Sequence, residues 1–190
     1  MHRLRSMPNI FQSGLWGELM TISLIKYPTE KDWMEVKRRA LVTIGKSPVN
    51  PPDEEWKYKM LRARHSPIRY LTFSFYLEDI PSYCSVHLVR HVHSQPYVKS
   101  QRNDRQSNYD RTKAPQDAPV SMIWDMNAEE LMTIANKRLC SLADETTRAI
   151  VRAMRDEVIK TNPEFKDFLV PNCVYLGECK EIFPCTGGSV

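Results

Sequence analysis

Hydrophobic and polar residues alternate along two stretches of the chain, and this period-two pattern predicts β-strands. The first stretch is MTISLIKY, residues 20–27, in which Ile22 and Leu24 share one face of an extended chain. The second follows residue 70, where every other side chain is apolar: Leu71, Phe73, Phe75 and Leu77. Aromatic residues suit a pleated, half-buried surface. The pattern therefore predicts a sheet.

Apolar residues spaced three or four apart predict helices between and after these strands. The first predicted helix begins after Thr29, where Asp32 completes a capping box, and stops by Gly45. A second, charged helix is expected over residues 53–64. A third, PSYCSVHLVRH, follows Asp79 and ends near His91. The polar, proline-containing residues 103–120 are expected to form a connection.

The strongest helical pattern starts at Asn127 and continues to residue 160. Asn127 and Glu130 resemble a capping pair at its start. Apolar residues recur at helical spacing over roughly nine turns, which predicts one long C-terminal helix at the core of a bundle or of a subunit interface. The combined prediction is an α+β fold, an antiparallel sheet flanked by helices.

Composition narrows the class of protein. The chain has 190 residues, a net charge of +4, and 42% hydrophobic and 26% charged residues, as expected for a soluble domain. No apolar run is long enough for a membrane span, and five cysteines without a secretory signal indicate reduced thiols and a cytoplasmic protein. We predict an irregular extension over 1–19, a catalytic domain over 20–170 and a cysteine-containing tail over 171–190.

The densest polar segment is RHVHSQPYVKSQRNDR, residues 90–105. It could bind nucleic acid, form a metal or catalytic site, or hold a phosphorylated small molecule. Its arginines, with Arg62, Arg64 and Arg69 upstream, supply forked donors that match phosphate oxygens. The chain has six glycines and no GxGxxG or GxxxxGK loop, so side chains and helix ends would have to hold the phosphate.

Thiol chemistry and metal binding are weaker interpretations. Cys84 and Cys140 lie in predicted helices, where free cysteines are usually buried packing residues. His87 and His91 have the i, i+4 spacing of helical metal ligands but lack the HExxH pattern. The tail cysteines are each separated by five residues, wider than usual zinc spacings, so a metal site there stays open: Cys173, Cys179 and Cys185.

Three ordered blocks of sequence resemble the flavin-dependent thymidylate synthases. Arg90–His91, followed by Ser100 and Arg102, is similar to the family's Arg-His-Arg-x-x-Ser signature and its later Ser and Arg. Residues 65–75, HSPIRYLTFSF, resemble the Ser-Pro-Phe-Glu-His segment that leads into a Phe-x-Phe strand. Asn127 with Arg138, eleven residues later, resembles the family's Asn-Ala-Arg helix with its nucleotide-binding arginine.

The resemblance implies FAD as cofactor, with NADPH and methylenetetrahydrofolate as co-substrates in converting dUMP to dTMP. It also implies a homotetramer with active sites at subunit interfaces, and no nucleic-acid or membrane partner. FAD would lie near four residues: Ser66, Arg90, His91 and Asn127. Ser100, Arg102 and Arg138 would bind dUMP, with Ser100 and Arg138 closest to catalysis. Because reduced flavin carries the chemistry, no cysteine nucleophile is required.

This chain departs from the family pattern at several positions. Val92 replaces the third residue of the Arg-His-Arg triad, and Gln95 replaces a Ser. Arg69 and Tyr70 stand in place of the Glu-His pair, and Glu129 stands in place of the helix Arg, which reverses two charges. The connection from 102 to 127 is also shorter. A related flavin-dependent methylation or hydroxymethylation of a pyrimidine nucleotide is one alternative, and a single-stranded nucleic-acid binder is another.

Overall fold

The computed structural model describes residues 9–12, 19–105 and 110–185. Its described strands form one antiparallel sheet in the order β1-β2-β3-β5-β4, with these bounds: β1 (Asn9–Gln12), β2 (Leu19–Lys26), β3 (Thr72–Pro81), β4 (Ser94–Val98) and β5 (Pro119–Asn127). The helices are α1 (Glu30–Val42), α2 (Glu54–Arg62), α3 (Ser82–Leu88), α4 (Ala128–Arg138), α5 (Glu145–Thr161) and α6 (Asn172–Leu176). The α+β class is confirmed.

One face of the sheet is apolar and forms the core. Its fully buried residues come from alternate positions of the central strands, and they pack against residues of α3, α4 and α5: Phe73, Phe75, Leu77, Met122 and Trp124. The opposite face carries polar residues from the same strands, for example Ser74, Gln95 and Asp125. A strand with this alternation buries one face and leaves the other for water, a ligand or another chain.

The predicted strands and first helices are confirmed with small shifts in their ends. Thr29 caps α1, and its backbone and hydroxyl both donate to the Asp32 carboxylate at 2.7 Å. The helix ends at Val42, three residues before Gly45, whose φ of 67° is a left-handed conformation that glycine adopts without strain. Asp53 caps α2 by accepting a hydrogen bond from the backbone of Trp56.

The prediction of one long C-terminal helix is wrong. The chain leaves the helix after Arg138 and starts a new one, α5, at Glu145. The break has a local cause at Asp144, the residue that caps the start of α5. Its carboxylate accepts hydrogen bonds from the backbone and the hydroxyl of Thr147, each at 2.8 Å. Such a side chain satisfies the first amides of a new helix and so favours a break. The apolar spacing continues across the break and conceals it.

Two strands replace parts of the expected polar connection and of the polar segment 90–105. In β5 the buried residues alternate, as expected for a half-buried strand: Val120, Met122, Trp124 and Met126. β4 is an edge strand with exposed Gln95 and Tyr97, and it contains Pro96, which an edge strand tolerates. The prediction of a connection over 103–120 is therefore wrong for its last two residues, which belong to β5.

Part of the expected irregular extension, residues 1–19, is also regular. Residues Asn9–Gln12 form β1, which pairs with β2. The rest of that segment up to residue 18 lies outside the described residues. None of the described helices combines the length and the apolar character that crossing a bilayer requires.

Candidate active site

The end of α4 meets the loop after α3 at a buried polar cluster. Arg138, the last residue of α4, donates from Nε to Nε2 of His91 at 3.1 Å and from Nη2 to the carbonyl oxygen of His87 at 2.9 Å. On the other side of the imidazole, Nδ1 of His91 lies 3.6 Å from Oε1 of Glu130. The cluster therefore brings together two of the predicted site residues, which are 47 positions apart in the sequence.

This geometry fixes the state of the His91 ring. Burial and, as the smaller cause, the positive charge of Arg138 together lower the pKa of His91 to about 4. A neutral imidazole has one donor and one acceptor nitrogen. Since Nε2 accepts from Arg138, the proton is on Nδ1 and faces Glu130. His91 therefore orients the guanidinium of Arg138 without competing with it for an anion.

A second chain of contacts holds His91 itself in place. The indole Nε1 of Trp124 donates to the Ser94 hydroxyl at 2.7 Å, and that hydroxyl donates to the His91 carbonyl at 2.5 Å. The imidazole also lies 6.3 Å, centroid to centroid, from the Trp124 ring. The loop that carries the Arg90–His91 motif is thus tied to the central strand β5.

Asn127 occupies the junction between β5 and α4, where a strand becomes a helix. Its side chain accepts a hydrogen bond from the backbone of Glu130 at 2.9 Å and so caps α4. Asn127 also lines two adjoining cavities of about 320 and 480 Å³, which share Arg69 and His93. Volumes of this size are usual for small-molecule pockets.

The residues at positions 69 and 129, whose charges are reversed relative to the family pattern, pair with each other beside these cavities. Arg69 and Glu129 form a direct ion pair between the 3-10 turn Ser66–Tyr70 and the first turn of α4. Arg69 holds a positive charge where the family pattern has Glu, and Glu129 holds a negative charge where it has Arg. The two departures therefore compensate each other locally, which explains how both occur in one chain.

The remaining predicted residues are exposed and more loosely held. Ser66 lies in the 3-10 turn and is exposed, as is Arg90. Burial lowers the pKa of the Arg138 guanidinium, and the nearby charge of Arg90 contributes to the same shift. Ser100 follows β4 and accepts a hydrogen bond from the Arg102 backbone at 3.3 Å. Arg102 makes a two-point pair with Asp104, at 2.9 and 2.7 Å.

The sheet register separates this exposed loop from Asn127. β4 runs antiparallel to β5, so Ser94 lies opposite Met126 whereas Lys99 bonds to Ser121. At about 3.4 Å per residue, the six residues from Ser121 to Asn127 correspond to about 20 Å along the strand. Within the described part of one chain, the loop does not contact the cavities beside Asn127.

Other candidates have structural partners. Arg62 donates to the Tyr175 carbonyl at 2.9 Å, and Arg64 donates to Thr133 at 3.1 Å and to Asn136, so both arginines fasten the C-terminal segment. Cys84 is buried, and burial raises its pKa to about 11, as expected for a packing thiol rather than a nucleophile. His91 lies beyond the end of α3, so the predicted i, i+4 helical pair with His87 is wrong.

The tail cysteines lie together on another side of the molecule. One cavity of about 410 Å³ is lined by four of the five cysteines: Cys140, Cys173, Cys179 and Cys185. None of them is in a disulfide. Among the described residues, no group of three or more His, Cys, Asp or Glu side chains is placed to hold a metal ion.

Residues 106–164 match the Thy1 family, described as thymidylate synthase complementing protein. This range contains β5, α4 and α5, and with them Asn127 and Arg138. The match covers less than a third of the chain, so it shows a similarity to this family over one segment. The match confirms the resemblance at the third sequence block, Asn127 with Arg138, whereas the two earlier blocks lie outside the matched residues.

Two solved structures share the fold of this chain. ThyX from Helicobacter pylori, solved with FAD and dUMP, superposes with a TM-score of 0.62 at 14% identity over 82% of this chain and 99% of that one. The UMP/dUMP methylase PolB from Streptomyces cacaoi, solved with 5-Br dUMP, gives 0.63 at 15% identity over 80% and 97%. None of the curated proteins matches the chain.

His93 is the residue that sequence reasoning underrated. It matches no position of the family pattern, yet it lines both cavities beside Asn127, and its backbone donates to the Glu130 carboxylate. A signal was present in the sequence, because His93 is two residues from His91 and directly precedes a strand that returns to β5. The position of His93 beside the cavities becomes evident only when β4 is paired with β5.

Proposed function

We propose that this protein belongs to the thymidylate synthase complementing protein family and is an FAD-dependent enzyme that methylates dUMP to dTMP. Methylenetetrahydrofolate would be the carbon donor and NADPH the reductant. The observation that carries the proposal is the contact between His91 and Arg138, which joins two separate blocks of the family pattern at one buried site. The fold shared with a ThyX solved with FAD and dUMP supports it.

The residues around Asn127 fit a flavin. Their cavities offer cationic and amide donors as well as carboxylate acceptors, a set that suits a ring system with alternating carbonyl and N–H groups. Ser66, Arg90, His91 and Asn127 would hold FAD, which supplies the carbon and hydride transfer chemistry when bound. The protein's own contribution would be orientation and a fixed electrostatic field.

Arg138 is suited to bind the anionic substrate. Its guanidinium is anchored by two acceptors, so its remaining N–H groups are already oriented when a ligand arrives. A preorganised donor stabilises developing negative charge without reorganisation at the moment of reaction. Ser100 and Arg102 would complete the dUMP site, with Arg102 exchanging Asp104 for a phosphate.

The separation along β5 indicates how these groups would meet. Because Ser100 and Arg102 extend beyond the Ser121 end of the ladder, we propose that they serve a site completed by a second copy of the chain. A homotetramer with shared sites is the assembly that the family resemblance implies. In each shared site, one subunit would contribute Arg138 and His91, and another would contribute the exposed loop with Ser100 and Arg102.

The direct test is an absorption spectrum of protein purified after flavin supplementation, recorded with and without dUMP. We expect bound flavin and a spectral shift on adding dUMP. Absence of flavin, together with no response to dUMP, would rule the proposal out.

The shared fold with PolB, a UMP/dUMP methylase, favours a second candidate: methylation or hydroxymethylation of another pyrimidine nucleotide. Mass spectrometry of the products from dUMP, UMP and dCMP separates these activities, and exclusive formation of dTMP would remove the second candidate. The bidentate pairing of Arg102 with Asp104 reduces the positive charge of the exposed loop and so weakens the nucleic-acid alternative. Nucleic-acid binding would also have to fall steeply with salt.

A further inference from the structure

Asp125 has a buried oxygen without a partner. Among the fully shielded side-chain nitrogen and oxygen atoms of the described residues, Oδ1 of Asp125 is the one that makes no hydrogen bond. Leaving a carboxylate oxygen in this state is costly, since burial removes its hydration and the fold supplies no replacement. Such an atom calls for a specific explanation.

The location of Asp125 suggests a ligand rather than a packing defect. Asp125 lies on the polar face of the sheet, opposite Ser74 on β3 and Gln95 on β4. All three residues line the cavity of about 480 Å³ beside Asn127. The carboxylate therefore lines the candidate flavin cavity, two residues before the cap of α4.

The cationic side chains that line this cavity do not pair with Oδ1 of Asp125. Arg69 lines the same cavity, but its guanidinium is paired with Glu129. Lys26 and His93 also line the cavity, and neither donates to Oδ1. A donor for Oδ1 would therefore have to come from outside the described residues.

We propose that Asp125 is a specificity residue that accepts the N–H of a cyclic imide, the –CO–NH–CO– edge of a bound heterocycle. Gln95 and Asn127 line the same cavity, and their amide groups would donate to the flanking carbonyls. This inference rests on the proposed function, because the uracil ring of dUMP and the pyrimidine ring of the flavin both present this edge. A cytosine ring lacks the N3–H and would be bound less well.

The experiment compares the wild type with Asp125→Asn and Asp125→Ala. Dissociation constants are measured for FAD on the flavin-free protein and for dUMP on the flavin-loaded protein. N3-methyl-FAD and N3-methyl-dUMP are the matched probes, since each lacks only the imide hydrogen. Glu78→Gln is the control variant: Glu78 is a carboxylate on the neighbouring strand that accepts from the Tyr76 hydroxyl and does not line this cavity.

We expect Asp125→Ala to weaken one ligand by roughly 10- to 100-fold, as for a lost charge-assisted hydrogen bond, and Asp125→Asn, whose amide oxygen still accepts but carries no charge, to weaken it by about 3- to 10-fold. The wild type should bind the N3-methyl form of that ligand at least tenfold less tightly than the natural one, and Asp125→Ala should lose this discrimination. An effect confined to FAD assigns Asp125 to the flavin ring, and an effect confined to dUMP assigns it to uracil. Glu78→Gln should leave both constants unchanged.

A stability measurement separates the ligand role from a structural one. Ligand-free Asp125→Asn should melt at or above the wild-type temperature, because a shielded amide atom without a partner costs less than a shielded carboxylate oxygen without one. If the wild type binds FAD and dUMP while Asp125→Asn binds both within twofold, the inference fails and the proposed function stands. A lowered melting temperature with dissociation of the oligomer and unchanged ligand binding would make Asp125 a subunit contact and overturn the inference. A wild type that binds neither ligand would defeat the proposed function itself.

Discussion

The two halves of segment 90–105 are held by the fold in opposite ways. The His91 side chain is 11% exposed and sits between Arg138 and Glu130, on a loop tied to the central strand. The Arg102 side chain is 61% exposed and pairs with Asp104, two residues away in its own loop. The first half is preorganised by tertiary contacts, whereas the second can change partners at little cost, since exposed ion pairs contribute roughly 0–1 kcal/mol.

Because of this difference, mutations in the two halves should affect ligand binding and protein stability differently. A residue in the buried half serves both, so its loss should affect the folded state and the ligand together. A residue in the exposed loop should affect the ligand alone. The predictions below test that division.

The largest effect is expected for Arg138→Ala. It should weaken dUMP binding by at least about 100-fold, as expected when charge-assisted hydrogen bonds are lost. It should also lower the free energy of unfolding by about 1–3 kcal/mol, because the acceptors on His91 and His87 lose their donor. Spectral titration with dUMP and denaturant unfolding measure the two quantities. Lys137→Ala, at the exposed neighbouring position, is the control, and dUMP binding that survives in Arg138→Ala would contradict the assignment.

Arg102→Ala should weaken dUMP binding about tenfold or more and change the free energy of unfolding by less than about 0.5 kcal/mol. Arg105→Ala in the same loop is the matched control. If sites are shared between subunits, mixed oligomers of Arg102→Ala and Arg138→Ala should regain activity, since about a quarter of the sites would combine the two intact arginines by chance. Failure of every mixture to regain activity would place both arginines in sites built from one chain.

A pH-dependent loss of stability should follow from the buried His91. Its pKa is about 4 in the folded protein, below its ordinary value of 6.5, so the unfolded chain binds a proton that the folded chain does not. The stability from His91 is complete above pH 6.5 and is lost as the pH falls towards 4. Unfolding curves across this range should show the decline, and His91→Gln should flatten it.

The neighbours of His91 supply the controls for that measurement. Burial raises the pKa of Glu130, which titrates with the opposite sign, so the decline should be steeper in Glu130→Gln. Arg138 stays charged across the range. His65→Gln changes an exposed histidine, and a flattened curve in this variant would show that the decline has another source.

The smallest effect is expected for Cys140→Ala, which should keep turnover within about twofold because flavin-centred chemistry needs no thiolate. Cys84→Ala should also keep its chemistry, although removing a buried side chain should cost about 1–2 kcal/mol of stability. Steady-state assays on folded protein measure both. An inactive but folded Cys140→Ala would overturn the flavin-centred mechanism.

Much of this fold could be predicted from local patterns. The alternation at residues 71–77 predicted β3, and the Thr29–Asp32 capping box predicted the start of α1. The prediction of one long helix was wrong because the apolar residues keep helical spacing across the break. Asp144, which caps α5, indicates a new helix start, but the helical spacing was the stronger pattern. β4 gave no local signal at all, because an exposed edge strand with a proline is defined by its partner.

The candidate site shows the same limit. The motif blocks indicated that Arg90, His91, Asn127 and Arg138 belong to one site, and the sequence also showed the reversed charges at positions 69 and 129. It could not show that Arg69 and Glu129 pair, because sixty residues separate them along the chain. Nor could it rank His93 or Asp125, whose importance depends on the cavity they line.

The sequence alone predicted the α+β class, the resemblance to the family and the residues that carry it, since all three follow from residue types at fixed spacings. The tertiary structure decided which of those residues act together. Pairing β4 with β5 brings His91 to Arg138, sends Arg102 to the opposite end of the strand and leaves one oxygen of Asp125 without a partner. These outcomes depend on distances between segments remote in sequence, which packing fixes and local spacing does not encode.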